Sequence, residues 1–200
     1  MTAFICSLIF GAVALSVSDL LAALDFLNPQ QSSIIIWQLR FPRAILAMCV
    51  GVMLAMSGAI TQGLFRNPLA DPSLIGVTAG ALAGATIVIV LGNSVIESGR
   101  SEFWQSFAMF SMVSVGAFLG GMITVLLVYR LATSPSGTSV STMLLAGIAI
   151  TALAGSLTSL LEYSADNQLL RQVSLWRMGA FGVSDSFQLA VAIVFALIAV

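Results

Sequence analysis

Arg40-Phe41-Pro42-Arg43, an apolar run through Gly51 and Ser57-Gly58 to Gln62, then Arg66-Asn67-Pro68-Leu69-Ala70-Asp71-Pro72 and Gly76: residues 40–76 decide the fold. A helix rises about 1.5 Å per residue and needs about 20 residues to cross hydrocarbon. The run from residue 42 to 65 meets that length. Paired arginines stand at one end of it. At the other, Asn67-Pro68 and Asp71-Pro72 cannot continue a helix, because proline lacks the N–H and restricts the residue before it.

Working outward, the rest of the chain has the same character. It is 59% hydrophobic and 8% charged, with a mean hydropathy of +1.08. A soluble domain of 200 residues needs far more charge to cover its surface, so its solvent is lipid or its own membrane interior. All 7 basic residues are arginine and there is no histidine. Histidine proton relays, histidine metal sites and Ser–Lys dyads are therefore excluded. A net charge of −1 gives no case for nucleic acid. Cys6 and Cys49 lie in apolar runs and read as small hydrophobes.

The pattern predicts an all-α, polytopic transmembrane bundle of about six spans, at residues 3–24, 42–65, 73–92, 105–130, 140–162 and from 187 onward. The first run has no basic segment before it, so it reads as a retained helix and not as a signal peptide. Asn28-Pro29-Gln30-Gln31, the polar stretch from Asn93 to Gln105, and Ser134-Pro135-Ser136-Gly137 read as breaks. Gly76, Gly80 and Gly84 form one small-residue stripe, and Gly116 and Gly120 another. Such faces let helices pack closely in lipid.

Three features could carry function. Arg40 and Arg43, three apart at a helix start with Pro42 in its first turn, share a face. They suit either bidentate carboxylate binding or interfacial anchoring to headgroups. The loop Asn67, Pro68, Asp71, Pro72 is a rigid turn, a hinge or a gate. The stretch from Glu162 to Asp185, with Trp176 and two arginines, suits an interfacial helix. Met48, Cys49, Met53 and Met56 could suggest a copper path, but they spread around their helix and read as packing. No metal site, cofactor or catalytic residue is expected: the chain has neither a Walker loop nor a Gly-x-Ser-x-Gly elbow.

From Arg40 to Gly80 the chain closely resembles the permease subunits of bacterial ABC importers for vitamin B12, iron–siderophores and haem, and the likeness extends over essentially all of it. The resemblance implies a type II importer permease in the bacterial inner membrane. Arg40 and Arg43 match the Arg-x-Pro-Arg pair that receives acidic residues of the periplasmic substrate-binding protein. Leu69, in Asn-Pro-Leu-Ala-x-Pro, matches a residue at the cytoplasmic constriction, and Ser141 and Thr142 match the loop facing it. Leu170 to Gly179 resembles the family's periplasmic helix with its Trp-x-Met-Gly signature. The pattern Asp166 to Arg171 leans toward the haem branch.

The resemblance also implies partners: a second permease subunit in a homodimer, cytoplasmic ATP-binding subunits, the binding protein and surrounding lipid. It places Arg66 and Arg130 inside and Arg40, Arg43, Arg100, Arg171 and Arg177 outside, against the positive-inside tendency. Family members have ten helices, with their ATPase-docking loop after the sixth. Residues 1–200 are thus expected to form a transmembrane permease domain incomplete at its C-terminus. The alternative is a truncated, non-transporting scaffold that keeps only the docking surface.

Overall fold

The structure, a computed structural model, describes residues 2–11, 13, 16, 31–96, 102–135, 137–179 and 186–199. Among the described residues the regular structure is helical apart from one pair of two-residue strands. Helix α1 spans Thr2–Ile9 and α2 spans Gln31–Ile34. A π-helical turn at Ile35–Arg40 leads into α3, Phe41–Phe65. A 3₁₀ turn at Pro72–Ile75 precedes α4, Val77–Ile96. Then come α5 (Glu102–Ala132), α6 (Val140–Ser164), α7 (Asn167–Met178) and α8 (Ser186–Ala199). The chain divides into two units, Met1–Ala59 with Phe181–Val200, and Ile60–Ala180.

Among the described residues, three helical stretches are long and apolar enough to cross a membrane: Ile35–Phe65, Met112–Ala132 and Val140–Ser164. Val77–Gly92 and Leu189–Ala199 are shorter apolar helices. The six-span expectation is met at these five places in kind but at only three in length. The Asn28–Gln30 part of the first expected break, Ser136 of the third, and residues 97–101 of the second lie outside the described residues.

One expectation is corrected and another is met with an addition. The first span does not run unbroken from residue 3. The chain leaves the helix after Ile9, with bends at Gly11 and Val13. The α-helix expected from residue 42 begins at Phe41, with Pro42 in its first turn. Helical backbone is continuous from Gln31, and Phe41 N–H donates to Ile36 O, five residues back. Pro42 offers no N–H, and in a regular helix its ring would crowd a carbonyl one turn earlier. The wide turn just before it absorbs that conflict.

In the second unit the small-residue stripes do what their spacing predicts. A Cβ at Gly80 would sit 2.7 Å from Gly120 O, and one at Gly84 would sit 2.9 Å from the Gly116 carbonyl carbon. α4 and α5 therefore touch backbone to backbone, which only glycine allows. Beside this seam Ala85, Ile89 and Val113 form a core with Val173 of α7. Val128, Ala132 and Met143 form a second, against Phe65 and Ile75. The buried threonines Thr86, Thr124 and Thr158 each donate to a carbonyl four residues back, all at 2.9 Å. That satisfies their hydroxyls where no water is at hand.

The turn expected at Ser134–Gly137 closes a short ladder, Thr133 opposite Thr138 and Ser134 opposite Gly137. Ser139 then caps α6 by accepting from Thr142 N–H.

Candidate functional site

The first site belongs to the first unit. Arg40 ends the π turn and is half-buried; Arg43 lies in the first turn of α3 and is exposed. The two line one cavity of about 540 Å³, walled by Phe4, Phe10, Leu39 and Met48 among others. The structure thus brings the predicted pair together. An apolar wall beside cations excludes water and strengthens their pull on a carboxylate. The aromatic ring of Phe41 fixes the corner: it lies 5.0 Å from the Trp37 ring and 6.3 Å, edge-on, from that of Phe4.

The two arginines are not equivalent. Arg40 Nη1 donates to Leu8 O at 2.7 Å and Nη2 donates to Val13 O. A Cβ on Gly11 would stand 2.9 Å from Arg40 Nη2. Sequence reasoning missed this engagement, since Leu8 and Val13 contribute only backbone oxygens, which no motif reveals.

The second site belongs to the second unit and is built by local capping. Arg66 N–H bonds Gly63 O and Asn67 N–H bonds Gln62 O, which together close the end of α3 as a Schellman motif. Arg66 sits at the left-handed position of that motif, φ 48°, where glycine is usual. Asn67 Oδ1 accepts from Leu69 N–H at 2.9 Å, and Asn67 O accepts from Ala70 N–H at 3.1 Å. Asp71 caps the 3₁₀ turn, its Oδ1 accepting from Ser73 N–H at 2.7 Å. Donation from the Ser73 hydroxyl, and then from its N–H, holds the Asp71 carboxyl below its ordinary value of 3.8. Pro72 sits in the first turn of the 3₁₀ helix, where its missing N–H costs nothing.

This loop is therefore rigid, and at its tip Leu69 is 87% exposed, covered by neither Ser141 nor Thr142. Both of those residues are exposed on the first turn of α6, where Thr142 also donates its hydroxyl to Ser139 Oγ at 3.0 Å. What the structure does join is the end of the loop to α6 further along. A Cβ on Gly147 would come within 3.2 Å of Ile75 Cα and closer still to Leu74 O. Gly76, at φ 80°, is met by Thr151 Oγ1 and Gly147 O. Gly147 is the socket here, a role that no sequence motif singled out.

The predicted interfacial helix is α7. Asp166 caps it, accepting from Leu169 N–H at 2.8 Å, and Gly179, at φ 67°, ends it. Leu169, Val173 and Trp176, one face at helical spacing, pack on the Ala85–Ile89–Val113 core. Arg177 Nη2 reaches Glu162 Oε1 at 2.8 Å and pins α7 to the end of α6. The chain has no histidine, and among the described residues there is no group of three or more Cys, Asp and Glu placed to hold a metal ion.

Known proteins are similar to this chain. The hemin transport system permease protein HmuU of Yersinia pestis is 42% identical over 158 residues, covering 78% of this chain and 44% of that one. The cobalamin import system permease protein BtuC of Halobacterium salinarum is 37% identical over 158 residues, covering 79% and 39%. Among solved structures, a metal-chelate type ABC transporter in an inward-facing conformation matches with a TM-score of 0.73 and 31% identity, covering 98% of this chain and 54% of that one. The chain thus spans about half the length, or less, of the relatives it matches. The model of the FecCD transport family matches residues 1–200, and the chain belongs to that family.

Proposed function

We propose that the chain is part of the permease of an ABC importer that carries an iron chelate (haem or a ferric siderophore) or a corrinoid across the bacterial inner membrane, as a multi-pass subunit. A separate pair of cytoplasmic ATP-binding subunits supplies the energy, and the chain itself is not an enzyme. It pairs with a second permease subunit across a two-fold axis. The observation that carries this reading is the family match over residues 1–200, in relatives whose names specify hemin and cobalamin.

The two sites take distinct parts in it. The Arg40–Arg43 corner receives acidic side chains of a periplasmic binding protein. Its support is two cations on one cavity rimmed by apolar residues. The Leu69 loop is a cytoplasmic gate, with Ser141 and Thr142 across the path. Its support is an apolar side chain held out on a loop that has no slack. A binding protein or ATP shifts such a gate only through its differential affinity for the open and closed states.

The test is capture of the periplasmic binding protein by the detergent-solubilised chain, comparing wild type with Arg40→Glu/Arg43→Glu. Salt-sensitive binding that the double variant loses is expected. Binding unchanged by charge reversal removes the docking role, and the ligand carried by the captured protein identifies the cargo.

A further inference from the structure

Helix α5 has two unlike faces. Val113, Thr124, Val128 and Ala132 are buried, and Gly116 and Gly120 lie in the seam with α4. On the opposite side Val115, Leu119, Met122, Leu126 and Tyr129 follow one another at alternating steps of four and three, which makes them one straight stripe. Each is between 41% and 56% exposed. From Met112 to Ala132 the helix is long and apolar enough to cross a membrane, so the stripe lies at the depth of hydrocarbon.

The stripe ends in a cation. Arg130 follows Tyr129, one turn beyond Leu126, in the last turn of α5. It is exposed and has no hydrogen bond or ion pair among the described residues. The polar ladder Thr133–Thr138 comes next, so Arg130 stands where the helix leaves hydrocarbon. Phe65 packs against the Val128–Ala132–Met143 core, which brings the end of α3, and Arg66 after it, to the same level. In the loops at this end, residues 66–76 and 131–139, the one acidic residue is Asp71, and its carboxylate is already engaged by Ser73. Positive charge is therefore in excess here.

Leu119 and Tyr129 are ten residues apart, about 15 Å along a helix. That is about half of a hydrocarbon core roughly 30 Å thick, the depth of one leaflet. A stripe of that length with a cation at its polar end has the order of parts of a phospholipid: side chains for an acyl tail, then a guanidinium for the phosphate. Tyr129 suits the boundary, its ring apolar and its hydroxyl polar. A headgroup of net negative charge fits better than a zwitterionic one, whose own ammonium already offsets its phosphate. Helix α6 also exposes apolar side chains, Leu145, Ile148 and Leu153 among them. Its first turn offers hydroxyls in place of a cation, and Arg177, pinned at its far end, is already paired with Glu162.

We propose that the outer face of α5 is a seat for an anionic phospholipid, with an acyl chain along Val115 to Leu126 and the phosphate at Arg130. Arg130 touches the lipid directly, and Arg66 adds to the field that favours a negative headgroup. The seat depends on neither the docking corner nor the gate.

The experiment uses the full chain in bilayer nanodiscs carrying a trace of photoreactive phosphatidylglycerol or phosphatidylcholine, each with a diazirine in its acyl chain. Labelled peptides are then mapped. Phosphatidylglycerol is expected to label residues 115–126 several-fold more strongly than phosphatidylcholine. Arg130→Gln should lower that labelling about fivefold, the scale of one arginine at an anionic surface. Arg130→Lys should restore most of it, because a phosphate accepts a point charge. Arg171→Gln, which removes an exposed arginine of α7, should leave it unchanged. Equal labelling by the two lipids overturns the seat, and so does full labelling in Arg130→Gln. A stripe left unlabelled while other helices are labelled means that protein covers it, a second copy or more of the same permease, and overturns the seat as well. Inorganic phosphate in excess should not compete; if it abolishes the labelling, Arg130 holds free phosphate and the lipid seat falls. The comparison of the two lipids on wild type needs no variant, so it decides even if Arg130→Gln fails to accumulate.

Discussion

The arginine corner and the Leu69 loop are both short, polar and attached to the same helix, yet they are built in different ways. The hydrogen bonds described for the loop from Arg66 to Gly76 reach at most five residues along the chain, and only at its end do Leu74 and Ile75 meet Gly147 and Ile75 pack on the Val128–Ala132–Met143 core. The corner depends instead on bonds from Arg40 to carbonyls 32 and 27 residues away. A locally capped segment keeps its shape whatever surrounds it. A segment held by distant backbone keeps its shape only while the distant part stays put. That contrast fits the roles proposed for the two regions, a gate and a docking corner.

The largest expected effect breaks the close attachment of the loop's end to α6. Gly147→Val drives a branched side chain into the Leu74–Ile75 backbone, where no flexible side chain can yield. Overpacking of this kind costs about 3 kcal/mol, and the thermal midpoint in detergent should fall by roughly 10 °C. Gly155→Ala on the same helix, where a Cβ meets no described atom within 4 Å, should leave the midpoint within about 2 °C. Equal losses at the two positions would mean that α6 tolerates no side chain at a glycine, and that Gly147 is no socket.

Charge reversal at the corner comes next. Arg43→Glu should weaken capture of the periplasmic binding protein about tenfold or more and abolish its salt dependence, with the thermal midpoint unchanged. Loss of capture together with a fallen midpoint would place Arg43 among the fold's restraints and erase the contrast between the two regions. A smaller effect concerns Arg66, which occupies a backbone position that a side chain disfavours by roughly 1 kcal/mol. Some of that is returned by a cation at a helix C-terminus. Arg66→Gly should therefore raise the midpoint by about 1–3 °C, and a fall would show that the guanidinium itself holds the loop.

The same division explains what could be read from sequence. Asn67-Pro68 and Asp71-Pro72 announced the loop because capping chemistry is written in adjacent residues. The stripes at Gly80, Gly84, Gly116 and Gly120 announced the α4–α5 seam because helical periodicity carries the packing face. Trp176 with its neighbouring arginines announced α7, but the face of Leu169 and Val173 that packs on the core was not read. The sequence was silent on Arg40's partners, which are main-chain oxygens with no residue preference. It placed the start of the α-helix at Pro42 within one residue but not the π turn that leads into it, which has no compositional mark. The Glu162–Arg177 pair was likewise out of reach: its two members come together only through the corner between α6 and α7.

The smallest effect is also the most specific to local capping. Ser73 donates to the Asp71 carboxylate through its hydroxyl and its N–H, so the folded loop binds the Asp71 proton less tightly than the unfolded chain does. The stabilisation from this cap is complete above the ordinary value of 3.8 and is lost as pH falls through that value toward the lower folded one. Between pH 5 and 8 the cap should contribute no pH dependence, and loosening should begin only below about pH 4. Hydrogen exchange at the Leu69 to Ser73 amides, followed from pH 6 to pH 3 and corrected for intrinsic rates, measures this directly. Asp71→Asn should flatten the acid limb. An acid limb that survives in Asp71→Asn would mean that some group other than this cap governs the loop, and the loop would then be no more self-sufficient than the corner it is contrasted with.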